Sequence, residues 1–196
     1  MFLTAGLAAA PAMAAPAPVN DGPAEIDRTS CIYPELSQVF SWANDLNWYS
    51  LAPGQTTTDG FTGDGWRLRN GAQVTTTTLD DGSTGQVLDL PSGSVAVSPT
   101  ICVDSGFRTA RTEVRNVTGG DGVHFRVAYE GTQTWTQPKE TGRVHGDHGD
   151  WALSPSVNVQ PSDSPGWQLV RFYLVGGGST SEFQIYNFYV DPRMKG

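Results

Sequence analysis

Val123-His124-Phe125-Arg126-Val127-Ala128-Tyr129-Glu130 decides the fold class. Successive side chains of an extended strand point to opposite faces, so Val123, Phe125, Val127 and Tyr129 share one side while His124, Arg126 and Ala128 share the other. The same alternation recurs in Trp167 to Val175, where Val170, Phe172 and Leu174 oppose Leu169, Arg171, Tyr173 and Val175. In Thr109 to Asn116, Ala110, Thr112 and Val114 oppose Arg111, Glu113 and Arg115. Nowhere do apolar residues recur at helical spacing for three turns. These stretches, with Phe183 to Val190, are expected to form the heart of a two-sheet antiparallel β-sandwich, apolar sets inward. Ile185, Phe188 and Val190 cannot all face inward at strict period two, and a β-bulge near Tyr186 and Asn187 is expected to restore them.

Working outward, Asn47 to Ala52, Gly65 to Arg69, Ala72 to Thr77, Gln86 to Leu90 and Ser94 to Val103 read as earlier strands. Pro53-Gly54, Asn70-Gly71, Asp81-Gly82 and Pro91-Ser92-Gly93 supply turn chemistry between them. The 23 Gly and 13 Pro fit many short strands. Gly131 to Pro165 reads as a long irregular stretch, and it holds Trp135, Trp151, His145 and His148. The 196 residues suit one core. Residues 1 to 28 are expected to be leader and linker, and residues 29 to 196 a single β-sandwich domain.

The leader reading comes from the apolar run Met1 to Ala10 and from Ala12-Met13-Ala14, a cleavage-like region with the cut expected after Ala14. No Lys or Arg precedes that run, so either the start lies upstream or the signal is incomplete; a disordered Ala/Pro tail is the alternative. Cys31 and Cys102 are the chain's two cysteines, and in an oxidising compartment they are expected to pair. Closing so long a loop is worth about 4 kcal/mol in the chain-entropy model. A secreted or extracellular location, possible attachment at the cell surface included, follows from leader and disulfide together. A net charge of -8, with dispersed carboxylates, argues against nucleic acid, whose phosphates need a basic stripe. No run reaches the roughly 20 apolar residues that span a bilayer.

Asn47-Trp48-Tyr49-Ser50-Leu51-Ala52-Pro53-Gly54, then Gly65-Trp66-Arg67-Leu68-Arg69-Asn70-Gly71-Ala72, then Phe183-Gln184-Ile185-Tyr186-Asn187-Phe188-Tyr189-Val190-Asp191-Pro192 follow in an order that resembles the jelly-roll carbohydrate-binding-module superfamily and its galactose-binding-like relatives. Secreted bacterial proteins share this layout from Cys31-Ile32-Tyr33-Pro34 onward. The resemblance implies a jelly-roll sandwich, a polysaccharide or cell-surface glycan as partner, and no cofactor. Modules of this kind often carry an Asp-Asp pair in the last strand, one carboxylate helping to hold a structural calcium. Here Tyr186-Asn187 stands in that place, and an amide oxygen brings no charge, so calcium affinity is expected to fall.

Sugar binding uses flat aromatic faces and fixed polar groups. Arg111, Glu113, Arg115, His124, Arg126, Arg171 and Tyr173 are expected to form one outward polar face, with Trp135 or Trp151 arriving from the long loop. The ordinary alternative is a solvated sheet whose cross-strand pairs contribute under about 1 kcal/mol each. Trp48, Trp66 and Trp167 are expected to pack in the core or at the sandwich ends. His145-Gly146-Asp147-His148-Gly149-Asp150 has the residue types of a metal site, but its glycines favour a solvated turn. Asn116-Val117-Thr118 is a formal glycosylation sequon. Nucleophile elbow, phosphate loop, HExxH and dinucleotide fingerprints are all missing. Glu113 with Glu130 or Asp150 would be the carboxylates of a jelly-roll hydrolase or lyase. The function expected first is a non-catalytic carbohydrate-binding module; a structural or interaction protein of the cell surface is the second reading and the hydrolase or lyase the third.

Overall fold

The computed structural model describes residue 31 and residues 35–103, 109–159 and 166–191. The expected leader and linker, residues 1 to 28, lie outside the described residues. Among these residues the early strands are β1 (Ser50–Leu51), β2 (Gln55–Thr56), β3 (Gly60–Phe61), β4 (Arg67–Arg69), β5 (Gln73–Thr78), β6 (Thr84–Pro91), β7 (Val95–Val97) and β8 (Ile101–Val103). Next come β9 (Thr109–Thr118), β10 (Val123–Tyr129), β11 (Lys139–Val144), β12 (Asp147–His148), β13 (Trp151–Leu153) and β14 (Val157–Asn158). The last two are β15 (Gln168–Gly176) and β16 (Glu182–Asp191).

Sheet one runs β12-β9-β16-β6-β3-β2, with β1 also on β16, β13 and β14 on β9, and β5 on β6. Sheet two runs β11-β10-β15-β7-β4, with β8 beside β15. The pairs β6/β7, β9/β10 and β15/β16 each put one strand in each sheet, so β9-β16-β6 in sheet one is repeated as β10-β15-β7 in sheet two. That wrapping of strand pairs makes the sandwich a jelly roll.

The expected inward sets are buried: Phe125 and Val127 from β10, Phe172 and Leu174 from β15, Val114 from β9, and Phe183, Ile185, Phe188 and Val190 from β16. Phe188 sits among rings, 5.0 Å from Phe172 and 5.9 Å from Phe125 between centroids. A bulge puts it there. Tyr186 pairs with Glu113 but Tyr189 with Arg111, one extra residue on β16, and Asn187 takes the left-handed conformation at φ 53°. Asparagine tolerates that region better than most residues.

Gly131 to Pro165 is not the irregular stretch expected. Its described part supplies β11, which pairs with β10, and β12, β13 and β14, which line the edge of β9. These are short, mostly polar edge strands with Gly at intervals, so their pairing depends on a neighbour already in place and leaves little alternation to read.

Cys31 and Cys102 form a disulfide, with Cα atoms 5.8 Å apart, tying the start of the described chain to β8. Ser37 bridges Tyr49, and a small second cluster of Phe40, Tyr49 and Tyr189 fixes the segment between them against β16. Trp66 is buried in the main core and Trp167 packs against it, whereas Trp48 is 50% exposed and corrects the expectation that it packs. It follows Asn47 at the mouth of that segment, while Tyr49 beside it takes the inward position.

Candidate functional site

The residues expected on one outward face divide between two. His124 and Arg126 on β10, Arg171 and Tyr173 on β15, and Trp135, bridged to Glu130, belong to sheet two. Arg111, Glu113 and Arg115 on β9, with Trp151 on β13, belong to sheet one. The single face is therefore corrected to two faces on opposite sides of the sandwich. Alternation says which side of its own strand a residue occupies; it cannot say that β9 and β10, consecutive in sequence, enter different sheets.

On sheet two the polar groups satisfy one another. His124 Nδ1 is 2.9 Å from Glu140 Oε2 and its Nε2 is 3.4 Å from Asp121 Oδ2. Arg143 donates to Asp121 at 2.8 Å and to Glu140 at 3.4 Å, and Arg126 lies 3.9 Å from Glu140. Hydrogen bonds from the Gly178 amide and His124 hold the Asp121 carboxyl below its ordinary range, and His124 with Arg143 does the same for Glu140. The Arg171 guanidinium covers the Trp135 ring at 3.9 Å, and its Nε donates to Thr100. One face of Trp135 is thus already occupied.

On sheet one two arginines are committed to the framework. Arg111 donates to Asp45 at 2.5 Å and to the Ser154 carbonyl at 2.9 Å, and Tyr49 donates to the same carboxylate at 2.6 Å. Burial alone would raise Asp45; the bonds from Tyr49 and Arg111 outweigh it and hold the carboxyl low. Arg115 donates to Thr77, Thr78 and Gln184 and lies 4.9 Å over the Trp151 ring.

Beside them opens a cleft of about 400 Å³. Trp151 and Tyr186 line it, their ring centroids 6.1 Å apart and inclined by 62°. Thr57 and Thr58 come from the turn between β2 and β3, Asp80, Asp81 and Ser83 from the turn between β5 and β6, and Glu113 from β9. Gly60 and Gly85 give the Tyr186 ring its room: a Cβ on Gly60 would lie 2.6 Å from Tyr186 Cε2, and one on Gly85 3.0 Å from it. Burial, then the nearby Asp80 charge, raises the Glu113 carboxyl above its ordinary range, and a hydrogen bond from Asn187 works against them.

Of the expected residues, only Glu113 and Trp151 enter this cleft. Tyr186 is legible as an outward residue, since Gln184 and Tyr186 alternate with Phe183 and Ile185, but the sequence marks it by the expected bulge and by the departure from a calcium-binding pair rather than as a stacking ring. The threonines, Asp80, Asp81 and Ser83 carry no local signal, because turns bring them together. Glu130 follows β10 in sheet two and does not face Glu113, and Asp150 is not among the lining residues. Asn116 is 3% exposed and donates to the Gly119 carbonyl, which closes the sequon to modification in the folded chain.

Among the described residues no group of three or more His, Cys, Asp or Glu is placed to hold a metal, and His145 to Asp150 contains β12 and leads into β13. A Cβ on Gly146 would meet the Val114 carbonyl and Asn116 amide at 3.1 Å, so that glycine lets the segment run close along β9. No helix among the described residues is long and apolar enough to cross a membrane.

No family model matches the chain, and no curated protein matches it. Solved structures to which it is similar include the CBM22-1 xylan-binding domain from Paenibacillus barcinonensis, 14% identical, covering 74% of this chain and 94% of that one at a TM-score of 0.48. A family 6 carbohydrate-binding module from Clostridium cellulolyticum, in complex with xylose, is 16% identical over 71% of this chain and 95% of its own, at 0.43. A family 11 module from a Clostridium thermocellum cellulosomal cellulase is 15% identical over 73% and 97%, at 0.39. Overlap at this level leaves the jelly-roll assignment resting on the strand order and is silent on the ligand.

Proposed function

We propose that the protein is an exported, non-catalytic carbohydrate-binding module whose residues 29 to 196 act as one domain and hold a glycan in the sheet-one cleft. The observation that carries this reading is the pairing of Trp151 and Tyr186 in a cleft of about 400 Å³ rimmed by hydroxyls and carboxylates. A pyranose ring has apolar C–H faces and a polar equator; aromatic rings take the first and Thr57, Thr58, Ser83 and Glu113 the second. The cleft's size lies within the span usual for small-ligand sites, about 300 to 1,000 Å³. Export is supported by the leader-like start and by the Cys31–Cys102 bridge, since such bonds persist in oxidising compartments.

Affinity electrophoresis of the mature protein through gels containing xylan, β-glucan, chitosan or polygalacturonate tests the reading. Retardation in at least one gel, abolished by Trp151→Ala and unaccompanied by release of reducing sugar, is expected. Migration unchanged in every gel contradicts it, and reducing-sugar release turns it toward a hydrolase.

A second reading, attachment to a partner surface, is favoured by Trp42 and Leu46, each 67% exposed, and Trp48. They project from a segment that Asp45, Phe40 and Tyr49 otherwise hold fast. Exposed apolar groups mark a contact site where they join into one contiguous patch.

A further inference from the structure

We infer that the cleft selects a basic glycan, a sugar carrying a free ammonium group such as a glucosamine-rich polymer, over a neutral sugar and against a uronate. This rests on the glycan-binding reading above and names the substrate class of that same site.

Among the described residues the charged ones lining the cleft are Glu113, Asp80 and Asp81, with no Lys, Arg or His. Glu113 is the informative one. It is partly buried, and among the described residues no Lys, Arg or His comes within 4 Å of its carboxylate. Arg115, two residues along the same strand face, is turned to Thr77, Thr78 and Gln184 and stacked on Trp151. Asn187, 8% exposed, hydrogen-bonds Glu113 and leaves its own Oδ1 without a partner. Three other carboxylates are treated differently: Asp45 is met by Arg111, and Asp121 and Glu140 by Arg143 and His124. Asp89, 6% exposed, is met by the Gln73 amide rather than by a cation, and it does not line the cleft.

Partly buried charges are ordinarily paired, because an unpaired one keeps the cost of leaving water without recovering it. A carboxylate left unpaired at an aromatic cleft fits a ligand that brings its own cation. An ammonium has three donors and no acceptor, which suits Glu113 and the carboxylates of the β5–β6 turn. A uronate would add a fourth negative charge in the same space. An N-acetylated amine keeps the ring face for stacking but loses the charge.

The test is titration calorimetry with three soluble oligomers at a pH just below neutral: glucosamine, its N-acetylated counterpart and galacturonate. The glucosamine oligomer should bind roughly tenfold tighter than the acetylated one, the margin expected of a charge-assisted hydrogen bond, and the galacturonate should not bind. Glu113→Gln should shrink that ratio about tenfold; Asp80→Asn should move it the same way if the first variant fails to fold. Glu140→Gln, an equal charge change on the other sheet, should leave the ratio alone. Trp151→Ala separates cleft binding from attraction of a polycation to an acidic protein, so glucosamine binding that survives it overturns the inference. Equal or tighter Trp151-dependent binding of the acetylated oligomer overturns the charge selection while leaving glycan binding intact. No binding of any oligomer overturns both.

Discussion

The outer face of sheet two and the outer face of sheet one are built from the same alternation, yet they handle charge in opposite ways. On sheet two, Asp121, Glu140, His124, Arg126 and Arg143 form a closed network, and Arg171 covers Trp135. On sheet one Arg111 serves the framework and Arg115 lies over one face of Trp151, while Glu113 faces a cleft beside two aromatic rings with no cation among the described residues paired to it. A polar face is therefore not a site merely by being polar. What distinguishes the second face is an unfinished arrangement: an open concavity, ring surface to stack on and a carboxylate without its counter-charge.

The comparison breaks first if inner and outer faces have been exchanged. Phe172 is fully buried and Arg171, its neighbour, lies on the outer face of sheet two. Phe172→Ala should cost about 3 to 5 kcal/mol in urea unfolding, as large-to-small core changes do, and Arg171→Ala far less. Equal losses would mean the faces are reversed.

A smaller effect separates two carboxylates, Glu113 of β9 and Asp45, which Arg111 of β9 meets. The Asp45 carboxyl is held low in the folded state, so its contribution is present above the unfolded carboxylate range and is lost as pH falls through the folded value. Arg111→Ala should remove about 2 kcal/mol at neutral pH, the scale of hydrogen bonds to a charged group, and flatten the acid limb of the stability profile. Glu113 has the opposite sign. Its carboxyl is raised, so its contribution is present below the unfolded value and fades as pH rises through the folded one. Glu113→Gln should leave neutral-pH stability equal or higher, while weakening binding of a basic sugar. A destabilised Glu113→Gln protein would show that the residue serves the fold.

The smallest effect belongs to the sheet-two network. Glu140→Gln should cost under about 1 kcal/mol, and the difference should shrink in high salt, as for exposed ion pairs. A loss that is larger and indifferent to salt would show the network to be a structural element and undo the contrast drawn between the faces.

The sandwich was legible because Val123 to Tyr129, Trp167 to Val175 and Thr109 to Asn116 alternate over most of their length, and period two fixes which side chains go inward. The bulge was legible too, from the collision of Ile185, Phe188 and Val190 with strict alternation. Sheet membership was not, since β9 and β10 are joined by a short turn and look like a hairpin until each finds its partner elsewhere. The cleft was half legible. Glu113 and Trp151 have the residue types of a binding site, but Asp80, Asp81, Thr57 and Thr58 join them only through the folding of two distant turns, and Gly60 and Gly85 acquire meaning only once Tyr186 lies against them.

The most direct measurement is calorimetric titration of the protein, its Trp151→Ala variant and its Trp135→Ala variant with oligosaccharides of whichever polysaccharide retards it in affinity gels. If sheet one holds the glycan, Trp151→Ala should lose about 2 kcal/mol of binding or more, the scale of an anchoring aromatic, while Trp135→Ala binds as the unaltered protein does. Affinity lost in Trp135→Ala and kept in Trp151→Ala would place the glycan on sheet two and contradict the account.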